Sequence, residues 1–381
     1  MSIESIVKEF SAVALNPKGQ LKAYKEQGWK CIGVMPYYAP EELVHAAGMV
    51  PFGMWGSNRK TISKAKEYCA TFYCTIAQLD LEMLLDGTMD LLDGVITPSI
   101  CDTLRPMTQN IRVAMEGKLP TIFLAHPQYR RPAFGLEFCR AQYTHVKKEL
   151  EKIRGSEITD EEIRNAIKVY NKSRAARREF VKLASEHCDV IDPIMRSAVL
   201  KSAWFMRKEE HTEKLLALNE ELRKLPAAKW NGVKIVTSGI VCDSPALLKV
   251  LKDNNVAIAA DDVAHESRPL RVDASEEGDP MEALCRQFAD QDYDVLLYDE
   301  ESEKNRRGEF VANLVKESGA QGLVLFMQQF CDPEEMEYPY LKKALDAAGI
   351  PFIKLGVDQQ MRDFGQAATA IQAFADVLAL Q

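Results

Sequence analysis

Cys331 lies between an apolar stretch and a stretch typical of a helix start, a position in which its thiol could take part in chemistry. Residues 322–327 form an apolar run that predicts a buried strand. Residues 332–335, Asp-Pro-Glu-Glu, predict a helix start, with Asp332 as the N-cap and Pro333 at the first helical position. Cys331 is therefore expected on the loop at the carboxyl end of a strand, where open α/β sheets bind their ligands.

Two further thiols occupy comparable places earlier in the chain. The short apolar run 94–97 predicts a strand, and Cys101 follows it. Cys74 precedes residues 76–85, which have helical spacing, and the N–H groups of a helix start favour the metal-ligating thiolate. Cys69 lies five residues before Cys74. The spacing alone does not decide which of these two cysteines would be the ligand.

We hypothesise that Cys74, Cys101 and Cys331 together hold an iron–sulfur cluster. Thiolates are the usual ligands of such clusters, and three of them leave one iron open to solvent or to another ligand. The chain has no C-x2-C pair, so its cysteine pattern is less specific than that of a ferredoxin. A zinc ion bound by cysteine and histidine is the alternative metal site. Cys242, at the end of another predicted strand, is a less favoured additional thiol in the same cleft.

The remaining cysteines are expected to be packing residues. The chain has nine cysteines at wide spacings, and a disulfide framework is unusual in a long chain of this kind. Free thiols behave as small buried hydrophobes. This assignment applies to Cys31, Cys139, Cys188 and Cys285.

Other polar residues are assigned structural roles. His45 falls inside a helical pattern, whereas His126 falls at a strand end and is the better functional candidate, although an ordinary loop histidine is the preferred interpretation. The basic run 173–178 is predicted to be a solvated helix face rather than a phosphate site. The sequence has no P-loop, no G-x-G-x-x-G and no nucleophile elbow, so any ATP would be bound by another protein.

The order of the elements predicts an α/β fold with two Rossmann-like, doubly wound parallel-sheet domains. Strand, helix and strand follow one another in the first half of the chain, and the same order returns in the second half, with further strands at 294–298, 322–327 and 351–355. Cys101 and Cys331 occupy equivalent places in the two halves, so both thiols could face one cleft.

Composition divides the chain into four predicted regions. The first is an N-terminal helical arm, and a charged, helical insertion separates the two α/β domains, with a capping box predicted at Thr159–Glu162. The predicted boundaries are 1–30 for the arm, 31–135 for the first α/β domain, 136–228 for the helical insertion and 229–381 for the second α/β domain.

Charge and hydropathy exclude several classes of function. The net charge is −8 and the pI is near 5.5, so nucleic acid and anionic membranes have no electrostatic attraction for the chain. The first residues lack the basic and apolar regions of a signal peptide, and no apolar run reaches the length of a membrane span. A cytoplasmic location is expected.

Several blocks of sequence resemble those of the 2-hydroxyacyl-CoA dehydratase family, which is related to benzoyl-CoA reductase. The resemblance extends over essentially the whole chain and is closest to the β subunits of members that act on (R)-2-hydroxyglutaryl-CoA. The blocks that carry it are Glu67-Tyr68, Phe72-x-Cys74, the Cys-Asp-Thr-Leu of 101–104, the Phe-Cys-Asp-Pro-Glu-Glu of 330–335, and the longer stretches 35–43, 172–179 and 357–365.

The resemblance implies a cofactor and partners. Family members are heterodimers of two similar subunits, each with a [4Fe–4S] cluster held by three cysteines, which correspond here to Cys74, Cys101 and Cys331. The position of Cys69 need not be cysteine in relatives, which favours Cys74. Some relatives also carry a flavin, so FMN is conceivable, but the sequence shows no flavin motif.

The resemblance also implies a reaction. The family removes water from an (R)-2-hydroxyacyl-CoA to give the (E)-2-enoyl-CoA through a ketyl radical, as in anaerobic amino-acid fermentation. A separate ATP-hydrolysing iron–sulfur activator supplies one electron, and the substrate binds at the cluster of the homologous α subunit. This chain would relay or store the electron, and no catalytic acid or base is assigned to it.

The substrate and two alternative functions remain open at this point. A 2-hydroxyglutaryl chain needs a cation for its distal carboxylate; Arg105 is one candidate, although a surface salt bridge is the preferred interpretation of that residue. The alternatives are a subunit of a CoA-ester reductase of the benzoyl-CoA type and a non-catalytic subunit with a structural cluster.

Overall fold

A computed structural model of the chain describes residues 2–226, 228–298 and 306–380. The helices are α1 (Ile3–Leu15), α2 (Pro17–Glu26), α3 (Glu41–Ala46), α4 (Thr75–Leu85), α5 (Leu104–Ala114), α6 (Ala133–Arg154), α7 (Asp160–Glu186), α8 (Pro193–Ser202), α9 (Lys208–Arg223), α10 (Pro245–Asp253), α11 (Pro280–Ala289), α12 (Arg306–Glu317), α13 (Asp332–Ala348) and α14 (Gly365–Ala379). The strands are β1 (Cys31–Val34), β2 (Val50–Gly53), β3 (Gly94–Pro98), β4 (Thr121–Leu124), β5 (Val233–Gly239), β6 (Val256–Val263), β7 (Gly322–Gln328) and β8 (Phe352–Val357).

Within the described residues, the strands form two parallel sheets of four strands each. Their orders are β2-β1-β3-β4 and β6-β5-β7-β8, so the two sheets have the same topology. The strand order reverses between β1 and β3 in the first sheet and between β5 and β7 in the second. Such a reversal opens a crevice at the carboxyl ends of the strands. The predicted α/β fold of two Rossmann-like halves is confirmed.

The central strands are buried because helices cover both faces of each sheet. Every residue of β1, β3 and β7 is buried, which is the reason that these strands appear as continuous apolar runs and not as alternating patterns. The edge strand β8 is only partly buried. The apolar runs therefore located the interior of each sheet.

In the helical region between the two sheets, α7 begins at the predicted capping box. The Thr159 hydroxyl accepts from the N–H of Glu162 at 3.2 Å, and the Glu162 carboxylate accepts from the N–H of Thr159 at 2.7 Å, which confirms the capping box. α7 packs against α9 and α3, and α1 packs against α8.

In the part of the chain described, no helix combines the length and the apolar character needed to cross a bilayer.

The two halves share a hydrophobic core. Ile240, Val241, Leu284 and Phe288, all from the second half of the sequence, belong to the same buried cluster as the strands of the first sheet. α11 packs directly against α6. This shared core holds the carboxyl ends of both sheets in one arrangement.

The predicted strand at 294–298 is wrong. Asp294 accepts hydrogen bonds through Oδ1 from the N–H of Leu296 at 2.9 Å, and through Oδ2 from the hydroxyls of Tyr37 at 2.6 Å and Tyr38 at 2.7 Å. The segment is a turn followed by loop. An aspartate carboxylate that accepts a hydrogen bond from a nearby backbone N–H competes with the hydrogen bonds of a β-sheet. Here the Asp294 carboxylate takes the N–H of Leu296, and the segment is not a strand.

Candidate functional site

The three thiols that the sequence singled out line one cavity between the two halves. Its empty space, counted with the open mouth, is about 460 Å³. Cys74 and Cys101 come from the first half and Cys331 from the second, and all three are free and partly buried. The other lining residues are Pro36, Ile76, Ala77, Asp80, Ile100, Leu104, Ile240, Leu296 and Gln328. This space, the thiol cavity, is walled mainly by apolar side chains.

Each thiol lies at the start of a helix. Cys74 is the N-cap of α4, and Cys331 is the N-cap of α13. Cys101 precedes α5, and its carbonyl accepts from the N–H groups of Leu104 and Arg105, both at 3.1 Å. The backbone N–H groups of Ala77, Leu104 and Glu334 lie at the three thiols, where the positive ends of the helix dipoles also favour negative charge. The predicted N-cap at Asp332 is wrong by one residue, because the helix begins at Asp332 itself.

Burial keeps these thiols protonated when nothing positive is bound. It raises the pKa of Cys74 to about 12; the neighbouring Cys101 adds to this increase, whereas the N–H of Ala77 opposes it. Burial likewise raises the pKa of Cys101, and it raises that of Cys331 well above its usual value, with Glu334 as the next cause. A bound cation reverses this balance, because it stabilises coordinating thiolates directly.

The three thiols line a common cavity and are not arranged around a single point. Among the described residues, no group of three or more His, Cys, Asp or Glu side chains is placed to hold one ion. A tetrahedral zinc site needs its ligands about 2.0–2.3 Å from the same ion. Cluster thiolates bind different iron atoms, so their sulfurs need only surround a common space. The thiols of Cys74, Cys101 and Cys331 do surround such a space.

Asp80 is a residue of this cavity that the sequence analysis did not single out. Its Oδ1 accepts from the N–H of Gly56 at 2.8 Å, and its Oδ2 is buried with no hydrogen-bond partner among the described residues. Burial raises the pKa of Asp80 to about 8, so the carboxyl group is largely protonated at neutral pH. The signal in the sequence that could have identified it is an aspartate between two leucines in an apolar helical stretch.

Gln328, at the end of β7, joins the two halves beside the thiols. Its side-chain amide donates to the Thr75 hydroxyl at 3.2 Å, and its backbone N–H donates to Glu334 at 3.4 Å. Glu334 is buried, and burial raises its pKa to about 7, although Arg268 and Arg307 favour the carboxylate. These contacts tie the strand that precedes Cys331 to the first turn of α4.

A buried ion network lies behind the second-half wall of the cavity. Arg268, which is fully buried, lies 3.0 Å from Asp262, 3.5 Å from Asp294 and 3.8 Å from Glu334. Arg307 contacts the same Asp262 at 2.7 Å. These arginines keep the pKa of Asp262 well below its usual range despite complete burial. The network fixes the end of β6 relative to the start of α13.

The other cysteines lie outside the lining of the thiol cavity. Cys69 is buried, with the Asn110 amide 4.0 Å from its sulfur, and burial raises its pKa to about 11. Cys242 is buried beside Glu266, which adds to the effect of burial in raising its pKa. The predicted packing cysteines are all buried, as expected: Cys31, Cys139, Cys188 and Cys285.

Both histidines contact neighbouring protein groups, and the predicted surface pair of Arg105 is confirmed. His45 contacts Glu209 at 2.8 Å on the protein surface. His126 bonds the carbonyl of Tyr38 at 2.9 Å, and its burial lowers its pKa to about 4. The Arg105 side chain is 54% exposed and lies 3.8 Å from Asp102, so it forms a surface pair.

The prediction that the basic run 173–178 is a solvated helix face is wrong. Arg174 and Arg177 are buried, and only Arg178 reaches solvent, where it contacts Asp273 at 2.7 Å. α7 packs against α3 and α9, so this side of the helix is inside the protein. Arg174 is compensated there by Glu42 at 2.8 Å.

Comparison with known proteins agrees with the resemblance seen in the sequence. Residues 36–378 match the family described as 2-hydroxyglutaryl-CoA dehydratase, D-component. The chain is 61% identical over 379 residues to the (R)-2-hydroxyglutaryl-CoA dehydratase subunit beta of Acidaminococcus fermentans. This alignment covers 99% of this chain and 100% of the relative. It is 43% identical to the (R)-phenyllactyl-CoA dehydratase beta subunit of Clostridium sporogenes, over 97% of this chain and 98% of the relative. It is 28% identical to a benzoyl-CoA reductase subunit of Thauera aromatica, over 92% and 91% of the two chains.

Proposed function

Because the chain belongs to the 2-hydroxyglutaryl-CoA dehydratase D-component family, we propose that it is the β-type subunit of an enzyme that removes water from an (R)-2-hydroxyacyl-CoA. The relatives with dehydratase names support a hydro-lyase component. The high identity to the A. fermentans subunit supports (R)-2-hydroxyglutaryl-CoA as the substrate of the complete enzyme and the (E)-2-enoyl-CoA as its product.

One observation carries the proposal for this chain's own role. Cys74, Cys101 and Cys331, from three segments far apart in the sequence, line a single cavity at three helix starts. We assign a [4Fe–4S] cluster to these three thiols. When bound, such a cluster stores and transfers one electron at a time, which is the chemistry that a ketyl-radical dehydration requires.

The residues around the thiols have separate tasks in this proposal. The apolar side chains of Ile100, Leu104 and Leu296 exclude water from the cavity. The protonated carboxyl of Asp80 adds no negative charge next to three thiolates, which limits repulsion at the site. The Gln328–Thr75 hydrogen bond keeps the thiols of the two halves at a fixed separation.

The proposal assigns the remaining chemistry to partner proteins. The names of the relatives as β subunits support a homologous α subunit, which would hold the substrate. A separate ATP-dependent iron–sulfur activator would supply the electron, since this sequence has no P-loop. This chain then relays or stores that electron, and no residue of it acts as a catalytic acid or base.

A subunit of a CoA-ester reductase is the second candidate function. The 28% identity to the benzoyl-CoA reductase subunit of T. aromatica supports it. Product analysis of the purified complex separates the two functions, because a dehydratase yields an enoyl-CoA and a ring reductase yields a cyclic diene. The greater identity to the dehydratase subunits favours the first function.

The decisive experiment is anaerobic purification of the chain with its partner, followed by iron and sulfide analysis and Mössbauer spectroscopy. We expect about four irons and four sulfides in this subunit. Serine at Cys74, Cys101 or Cys331 should remove this iron, whereas the matched variant Cys69→Ser should retain it, because Cys69 lies outside the lining of the cavity. Zinc, or no metal under strict anaerobiosis, would contradict the assignment.

A further inference from the structure

A second cavity lies on the other side of the segment that follows β1. Its empty space, counted with its mouth, is about 630 Å³, and its lining shares no residue with that of the thiol cavity. Pro36 lines the thiol cavity, whereas the next two residues, Tyr37 and Tyr38, line this second one. Its wall is both aromatic and charged, and neither the proposed reaction nor the cluster uses it.

Two carboxylates of this cavity are already neutralised by two of its cations. Lys208 lies 2.8 Å from Glu41, and Arg174 lies 2.8 Å from Glu42. The cavity lining contains a third cation, Arg177, and no further carboxylate. The lining therefore carries three positive and two negative charges, and the excess positive charge belongs to Arg177.

Among the described residues, Arg177 is buried with no carboxylate in direct contact, and Glu41 and Glu42 attract it only from a longer distance. Arg177 is only 6% exposed. Its Nε donates a long hydrogen bond to the Ser173 carbonyl oxygen, with 3.4 Å between the two atoms. Among the described residues, no carboxylate lies within 4.0 Å of its guanidinium, and no hydrogen bond engages its two terminal nitrogens. Burial lowers the pKa of Arg177 to about 10, which leaves it charged at neutral pH.

A buried guanidinium that no carboxylate contacts directly is unfavourable, so its presence beside a cavity calls for an anion that the described residues do not supply. A carboxylate matches the planar fork of a guanidinium with two parallel hydrogen bonds, and one carboxylate balances one excess charge. The rest of such a ligand would contact the aromatic side chains in the lining: Tyr37, Tyr38, Tyr143, Tyr170, Trp204 and Phe288.

We propose that this cavity binds a small organic monocarboxylate, with Arg177 as the residue that recognises its carboxylate group. Inorganic phosphate, which has no apolar part, does not match the aromatic wall. The inference depends on the geometry of this cavity alone and does not depend on the cluster or on the dehydratase reaction.

The test uses the purified full chain, with benzoate as the probe and with phosphate and chloride as comparison anions at equal ionic strength. Benzoate should raise the midpoint of thermal unfolding in a saturable manner and change the fluorescence of Trp204, which lies in the wall. Chloride should do neither, and phosphate should act at least tenfold more weakly than benzoate.

Variants on one helix distinguish a built site from a general effect of anions. Arg177→Met should weaken benzoate binding by more than tenfold, and Arg177→Lys, which keeps the charge without the fork, should weaken it less. Arg164→Met is the matched control, because Arg164 lies on the same helix with a single weak bond to the Gly278 carbonyl at 3.4 Å. Its binding of benzoate should equal that of the unaltered chain.

The stability of Arg177→Met supplies an independent result. In buffer free of carboxylates, this variant should unfold at the same temperature as the unaltered chain or at a higher one, because it removes an uncompensated buried charge. A strong loss of stability, or failure to fold, would show that the guanidinium supports the fold and would overturn the proposal. Equal responses of the unaltered chain and Arg177→Met to benzoate would overturn it as well.

Discussion

The two sheets have the same topology, but the residues at the carboxyl ends of their strands differ in chemical type. In each sheet the third strand in sequence, β3 or β7, lies beside the first and leads to a Cys-Asp pair at a helix start. In the first half, the residues after β1 and β2 are the buried, apolar Met35 and Met54. In the second half, β6 ends in the buried carboxylates Asp261 and Asp262, which arginines neutralise.

This difference shows how a repeated scaffold can divide its tasks. The first half supplies two of the three thiols and much of the apolar wall, and its edge is held by packing. The second half supplies one thiol, and its edge is held by ion pairs whose geometry is specific and whose groups are out of contact with water. Buried ion pairs of this kind fix orientation more reliably than they add stability.

The strongest test of this difference between the halves is to replace Arg268, the residue at the centre of the ion network. Arg268→Met leaves Asp262, Asp294 and Glu334 with less compensation in a buried site, and it should lower the free energy of unfolding by about 3–5 kcal/mol. Arg105→Met, in the first turn of α5 in the first half, removes only a surface pair and should cost about 0.5 kcal/mol or less.

Urea unfolding of the anaerobically handled chain measures both values. The network would be less important than the geometry indicates if Arg268→Met cost under about 1 kcal/mol.

One glycine on the first strand of each sheet, Gly33 in β1 and Gly239 in β5, gives a second test of the two halves. A Cβ on Gly239 would lie 2.4 Å from the Phe326 carbonyl oxygen, at a φ of +149°. Gly239→Ala should therefore cost about 3 kcal/mol, since backbone strain and a clash with backbone combine. A Cβ on Gly33 would meet the ends of two flexible side chains, Met54 at 2.7 Å and Leu92 at 2.9 Å, and should cost roughly 1 kcal/mol.

Thermal unfolding of the two glycine variants gives the ranking. If Gly33→Ala were the more damaging substitution, the first half would be the more rigidly packed of the two, contrary to this account.

Two histidines, the partly buried His126 and the buried His265, give a smaller, pH-dependent difference. Burial lowers the pKa of His126 in the first half and of His265 in the second half to about 4. Each therefore binds a proton more weakly when folded than when unfolded, so each stabilises the protein above about pH 6.5 and loses that contribution as the pH falls toward 4. Between pH 7 and pH 5 the loss is about 2 kcal/mol for each.

Phenylalanine substitutions separate the two histidines. Both variants should lose part of the acid sensitivity. At pH 7, His265→Phe should be nearly neutral, because neither ring nitrogen of His265 has a partner among the described residues. His126→Phe should cost about 1 kcal/mol, since it removes the hydrogen bond to the Tyr38 carbonyl. Unfolding followed at several pH values checks the slopes; an unchanged slope in His265→Phe would contradict the assignment.

The sequence by itself determined the local structure and the three candidate thiols. Apolar runs, capping residues and prolines act over a few residues, and these short-range signals located β7, the capping box of α7 and the helix start after Cys331. The parallel sheets of the two halves followed from the same signals, because a helix between two consecutive strands returns the chain to the same end of the sheet.

Only the tertiary structure decided which side chains meet. Tyr37 and Asp294 are 257 residues apart, and their contact turned a predicted strand into a loop. The packing of α7 against α3 and α9 buried Arg174 and Arg177, although their pattern in the sequence is that of a solvated face. A local pattern reports how a segment orders its own backbone, but the charge and burial of a side chain depend on segments that the pattern does not contain.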